Sequence, residues 1–197
     1  MPALPTAAVG LVTHYGRAIA VSVTAGSEPV VVDRRELDLS PAGLPSAPYH
    51  HEGPELPLAD AEALIAKVRA AVATRARDAL RTLREDLADT ADVNILAIRE
   101  SRPMLATLAD ILGSRAVYIA DAELYRDAVH DAAVALGLAV VVYPKDDELA
   151  SAARALKSDV GALAERIRGW RKIVGPPWQK DHHAAAAAAL SALGVRT

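Results

Sequence analysis

Apolar and polar positions divide the chain into a β-rich opening and a largely helical remainder. Three apolar, β-branched runs come first: Ala8–Thr13, Arg17–Thr24 and Pro29–Leu39. His14-Tyr15-Gly16 separates the first two, and Ala25-Gly26-Ser27-Glu28 the second two. Short glycine-containing gaps between such runs predict hairpins, hence an antiparallel meander. In the third run Val30 and Val32 share one face, and Val31, Asp33 and Arg35 the other. That alternation suits a sheet with one partly solvated side. The pattern then breaks. A proline-rich stretch opens at Ser40 and fills 41–58 with Pro41, Pro45, Pro48, Pro54 and Pro57. It predicts an ordered loop across the sheet, not a helix.

Helical spacing follows Asp60, which is placed to cap it. Leu64, Ile65, Val68, Val72, Ala76, Leu80, Leu83 and Leu87 recur on one side, with most arginines off that stripe, so a long amphipathic helix is expected. Val93-Asn94-Ile95-Leu96-Ala97-Ile98 reads as a central parallel strand ended by Arg99-Glu100-Ser101. Pro103 predicts the first turn of a helix running to Leu112, with Gly113 as its stop. Ala116–Ile119 reads as a further strand or a connector, Asp121–Leu136 as helix, and Leu138–Tyr143 as strand. Helices are expected over Asp146–Leu156, Asp159–Ile173 and Lys180–Leu193, the last inside a C-terminal segment, 176–197, that opens on Pro176-Pro177. The whole, 1–197, reads as a single mixed α/β domain with right-handed crossovers.

Composition narrows the chemistry. The 197 residues are 52% hydrophobic, enough for a full core, yet Phe is absent, so Ala, Val, Leu and Ile must build it. A net charge of −3 gives no support to a broadly basic nucleic-acid-binding surface and leaves room only for a local patch. The absence of cysteine excludes disulfides, thiolate metal sites and a cysteine nucleophile. No apolar run reaches the roughly 18–20 residues that span a bilayer, and Met1-Pro2-Ala3-Leu4-Pro5 does not read as a signal peptide. A cytoplasmic protein without a membrane partner is expected. The absence of a phosphate loop, a dinucleotide glycine fingerprint and a Gly-x-Ser-x-Gly elbow argues against a nucleotide-driven enzyme or a serine hydrolase.

Candidate chemistry is densest at Asp181-His182-His183, behind the proline stop and at a helix start. Two readings stand. The trio is a ligand set, or Asp181 caps the helix and the histidines are exposed first-turn residues kept neutral by the helix dipole. Tyr49-His50-His51-Glu52 either contributes to a site or orders the proline-rich loop. His130, with Glu123, Asp127 and Asp131, is expected on a solvated helix face. Trp170 and Trp178 read as packing anchors or as a stacking platform, and Arg166, Arg168, Arg171 and Lys172 as phosphate contacts or solvated charge.

Three segments carry a resemblance: Val9-Gly10-Leu11-Val12-Thr13-His14-Tyr15-Gly16-Arg17, Ile95-Leu96-Ala97-Ile98-Arg99-Glu100, and Asp181-His182-His183-Ala184 running into Ala185–Leu190. With the order of elements, they make the chain resemble the ribonuclease-H-like superfamily, and within it the RuvC-type Holliday-junction resolvases. The resemblance implies a mixed sheet of three antiparallel strands followed by parallel strands, with flanking helices. It also implies metal-dependent phosphodiester hydrolysis on nucleic acid, and a homodimer by family analogy. Glu100 and Asp181 match the family's acidic positions. Thr13 stands where its first-strand Asp is expected, and Ala184 at its second acidic position on the last helix. The expected site is then Glu100, Asp181, His182, His183, Thr13 and His14, with Glu100, Asp181, His182 and His183 as metal ligands near the outlet of the middle strands. Two carboxylates and two imidazoles suit Mn²⁺ or Zn²⁺ better than Mg²⁺. The competing reading is a non-catalytic interaction or scaffold protein that kept the fold and lost the site. The acidic net charge favours that reading; the His and Asp concentration favours the enzyme.

Overall fold

The opening runs form the expected meander in the computed structural model, which describes residues 3–145 and 147–195. Strands β1 (Thr6–His14), β2 (Arg17–Thr24) and β3 (Val30–Asp38) pair antiparallel in chain order. Gly16 takes a φ of +74°, the left-handed value the tight β1–β2 turn demands. After the loop, helix α1 (Leu58–Leu87) buries Ile65, Val68, Val72, Ala76, Leu80 and Leu83. Strand β4 (Asp92–Arg99) then runs parallel to β1. A short α2 (Leu108–Leu112) and a long α3 (Ala116–Ala135) lead to β5 (Ala139–Tyr143), parallel to β4. The sheet order is β3-β2-β1-β4-β5. Four helices close the chain: α4 (Glu148–Ala155), α5 (Val160–Gly169), α6 (Arg171–Val174) and α7 (Lys180–Gly194).

Two apolar layers result. On one face of the sheet α1 and α3 cover Val9, Leu11, Leu96 and Ile98. On the other, Val21, Val23, Ile95 and Ala97 meet α7, backed by Leu163, Ile167 and the two tryptophans. Among the described residues no helix is long and apolar enough to cross a membrane.

The alanine block is the packing device of the second layer. Ala185–Ala189 are at most 2% exposed, and α7 lies against β1, β2, β4 and α4. Alanine keeps helix propensity while adding almost no side-chain thickness. The approach is so close that a Cβ on Gly10 of β1 would stand 1.9 Å from the Ala185 carbonyl oxygen and 2.7 Å from the Ala189 nitrogen. Gly194 does the same at the far end, where a Cβ would meet that of Ala155 at 2.6 Å.

Several boundaries differ from expectation. Ala116–Ile119 is the first turn of α3, not a strand, because its apolar residues continue the helical stripe of Ala120 and Leu124. Pro103 does not start a helix: α2 begins after Thr107, whose hydroxyl accepts the Asp110 N–H at 3.1 Å and is the better cap. Asp60 sits inside the first turn of α1. The Pro57 carbonyl, accepting from Asp60 and Ala61, opens that helix instead. The helix expected over Asp159–Ile173 is divided at Trp170 into α5 and α6. The expected helix start at Asp146, and residues 1–2 and 196–197, lie outside the described residues.

Replacing Gly10 by Ala is expected to lower stability by about 1–3 kcal/mol, the cost of overpacking, read as a shifted urea midpoint. Gly169→Ala, where a Cβ meets nothing within 4 Å, is the control and should be neutral or slightly stabilising.

Candidate functional site

Strand β1, strand β4, the start of α3 and the start of α7 end near one another at one edge of the molecule. Along β1 the side chains alternate, with Val9 and Leu11 in the α1–α3 layer and Ala8 in the α7 layer. His14 follows the second set. Its Nε2 lies 2.9 Å from Asp181 Oδ2, joining the end of β1 to the first turn of α7. A carboxylate oxygen accepts in such a contact, with Nε2 as the donor. Thr13 points by the same alternation toward the α3 side.

Helix α7 is capped differently from either sequence reading. The Gln179 N–H donates to Nδ1 of His182 at 3.2 Å, so His182 and Gln179 close the helix start, not Asp181. His182 is buried, not an exposed first-turn residue. Burial first, then Arg34, push its pKa down; Asp181 pulls it up by less, and His183 adds a still smaller downward push. A neutral ring with an unprotonated Nδ1 is what the cap requires. His183 has its pKa lowered by burial and by Arg168. Its ring centroid is 5.6 Å from that of Trp178, and its buried Nε2 has no hydrogen-bond partner among the described residues.

Glu100 does not join this group. Its N–H donates to the Tyr143 carbonyl at 2.9 Å, extending the β4–β5 ladder by one residue, and the residue is exposed. The cause lies upstream. The β1–β4 pairing passes from Ala7↔Val93 to Ala8↔Ile95, so Asn94 is an extra residue in β4. Val93 therefore faces the α1–α3 layer while Ile95, two positions on, faces the α7 layer. A one-residue shift exchanges the faces of all that follows. Arg99 is thus in phase with Ile95 and Ala97, and Glu100 is not. Strand β4 brings a guanidinium, not a carboxylate, to the outlet.

The outlet is a cleft of about 640 Å³, and Arg17, Arg99, Arg102 and Arg126 all line it, beside Thr13 and His14. Arg17 pairs with Glu36 at 2.9 Å. Arg126 pairs with Glu123, one turn away on α3, both at most 5% exposed. Glu123 is thereby corrected from a solvated face to a buried ion pair, in which Glu123 Oε2 and Arg126 Nε find no hydrogen-bond partner among the described residues. Among the described residues Arg99 and Arg102 make no ion pair or hydrogen bond through their side chains. Asp131 contacts His130 at 3.1 Å on the surface.

A strap lies at the lip of the cleft. Asp121 of α3 is fully buried and accepts the N–H groups of Tyr49 at 3.0 Å and His50 at 3.1 Å. The segment Tyr49-His50-His51-Glu52 is thus tied to α3. Burial raises the Asp121 pKa to about 6, the two backbone bonds pulling it the other way. Its place on the stripe of Leu124 and Ala128 was the available signal in the sequence. Trp170 and Trp178 are buried, and the Trp178 indole donates to the Ile167 carbonyl at 2.8 Å. They are packing anchors. The basic cluster sits on α5 and α6, with Arg168 paired to Glu165.

These residues do not fit a divalent metal pair. Among the described residues no three His, Asp or Glu side chains converge in a group that could hold an ion. Asp181 is engaged by His14, Nδ1 of His182 by the cap, and Glu100 stands apart. Glu100, Asp181, His182 and His183 are therefore not gathered into a single donor set.

The fold is ribonuclease-H-like: a five-stranded mixed sheet in the order 3-2-1-4-5 with helices on both faces. Solved structures of resolvases share it across nearly the whole chain. RuvC from Thermus thermophilus aligns with a TM-score of 0.51 at 16% identity, covering 97% of this chain and 96% of that one. T. thermophilus RuvC in complex with a Holliday-junction substrate gives 0.50 at 18%, covering 97% and 95%. The yeast mitochondrial Holliday-junction resolvase Ydc2 gives 0.52 at 11%, covering 98% and 82%. No protein-family model and no curated protein sequence matches.

The pKa shifts predict a pH signature. Asp121 has a raised folded-state value, so its contribution is complete below the ordinary carboxylate range and is lost as pH rises through about 6. His182 and His183 have lowered values, so theirs is present above the ordinary imidazole value and lost as pH falls. The two trends oppose each other between pH 7 and 5. Asp121→Asn removes the first, so its Tm should fall more steeply than that of the wild type as pH is lowered over that range.

Proposed function

We propose that the chain binds nucleic acid through phosphate contacts in the outlet cleft and does not hydrolyse phosphodiesters with a metal pair. One observation carries this reading. Where the two-ion chemistry of such folds needs converging carboxylates, this chain brings together Arg17, Arg99, Arg102 and Arg126 with a single carboxylate, Glu123, which Arg126 engages. Guanidinium forks match phosphate oxygens in pairs and keep their charge at every physiological pH. Two of the four, Arg99 and Arg102, make no ion pair among the described residues, so an incoming phosphate displaces none there. The local patch reconciles phosphate binding with a net charge of −3.

The T. thermophilus RuvC complex supports nucleic acid as the anion, since that protein of the same fold was solved with a Holliday-junction substrate. Asp181 then has a structural part: its contact with His14 ties α7 to β1.

The test is binding and cleavage on the same labelled four-way, duplex and single-stranded DNAs. Binding in EDTA should weaken with salt, and Arg99→Ala and Arg102→Ala should each reduce the log–log salt slope by about 1. No cleavage is expected in Mg²⁺ or Mn²⁺. Metal-dependent cleavage that Asp181→Ala abolishes would overturn the reading and assign Glu100, Asp181 and the neighbouring histidines to a nuclease. Binding that neither arginine variant alters would also overturn it.

A further inference from the structure

We propose that the cleft accepts an unpaired nucleotide, its base stacking on the ring of Tyr118 and its phosphate meeting Arg99 and Arg102. The inference rests on the phosphate-binding reading above and adds the class of nucleic acid. Tyr118 and Tyr15 line the same cleft as the arginines. Tyr118 is 52% exposed and Tyr15 41%. Large rings left open beside unpaired cations are the informative exception to burial of aromatic side chains.

The platform is built rather than incidental. The ring centroids of His51 and His50 are 3.8 Å apart at an interplanar angle of 35°, and those of His50 and Tyr118 4.4 Å apart at 43°, so three rings pack in a tilted series. The buried carboxylate of Asp121 fixes His50 in it through the backbone. The Tyr15 hydroxyl donates to the Tyr118 carbonyl at 3.0 Å, and its ring stacks on that of Tyr125 at 6.4 Å. Tyr125 in turn donates to the Ser46 carbonyl at 2.7 Å. Rings held in this way lose little freedom when a ligand arrives.

Duplex bases already stack on one another and expose only their edges. A ring face is useful to a base that has lost its neighbour. A cleft of about 640 Å³ has the size of a small-molecule site, room for a nucleotide. The shared chemistry, a base attached to a phosphate, comes from a strand or from a free nucleotide.

The experiment is fluorescence anisotropy at one salt concentration, with a single-stranded oligonucleotide, the same strand carrying abasic sites, and its duplex. The intact single strand should bind at least tenfold more tightly than the other two. Tyr118→Ala should remove most of that difference and leave abasic binding unchanged. Tyr118→Leu should match it, which excludes a loss through poor packing, and circular dichroism checks the fold of both. Competition by a nucleoside monophosphate separates the free nucleotide from the strand, and either occupant bears out the inference. Equal binding of intact and abasic strands, untouched by Tyr118→Ala, would refute stacking while the arginine variants still weaken binding. If the arginine variants change nothing, the phosphate reading itself has failed and this one goes with it.

Discussion

The close approach of α7 to β1 at Gly10 is the constraint on which the rest of the structure depends. A helix of ordinary side-chain thickness would stand off the sheet by several ångströms. Ala185–Ala189 and the absent Gly10 side chain remove that gap. The second apolar layer closes as a result, with Trp170, Trp178, Leu163 and Ile167 packed around it. The first turn of α7 is also carried to the end of β1, where Asp181 meets His14. Packing by the smallest side chains thus fixes the position of the most polar part of the molecule.

Electrostatics at the outlet follow from the backbone. The extra residue Asn94 in β4 exchanges the faces of the residues after it, so Arg99 points where a carboxylate would otherwise fall. The buried Glu123–Arg126 pair adds a second guanidinium that α3 holds in place. Desolvating both charges costs several kcal/mol per ion, and atoms on each side remain without hydrogen-bond partners among the described residues. Such a pair is weak evidence for stability. It is better understood as holding a cation in a set position at the cleft.

The periodic segments were legible in the sequence because each buries one stripe or one face. The meander, α1, β4, β5 and α7 follow from spacing, and the mixed sheet of antiparallel then parallel strands was implied by the resemblance. The nearness of His14 to the last helix was also readable from the resemblance. The facing of Glu100 was not, because a bulge leaves no mark in apolar–polar alternation until the strand is paired. Glu123 and Arg126 were hidden for another reason. Each charge is buried only because the other, one turn along α3, is there to meet it. The cap of α7 misled because a histidine nitrogen took the acceptor role usually filled by a carboxylate or hydroxyl.

Both tryptophans lie on the α7 side of the sheet, while the α1–α3 side holds tyrosines such as Tyr49 and Tyr125 and no indole. Indole emission is therefore a one-sided reporter. It follows solvent entry around the last helices and is silent while α1 loosens from the opposite face. Agreement between fluorescence and far-ultraviolet dichroism during denaturation would mean that the two layers come apart together, as one cooperative unit.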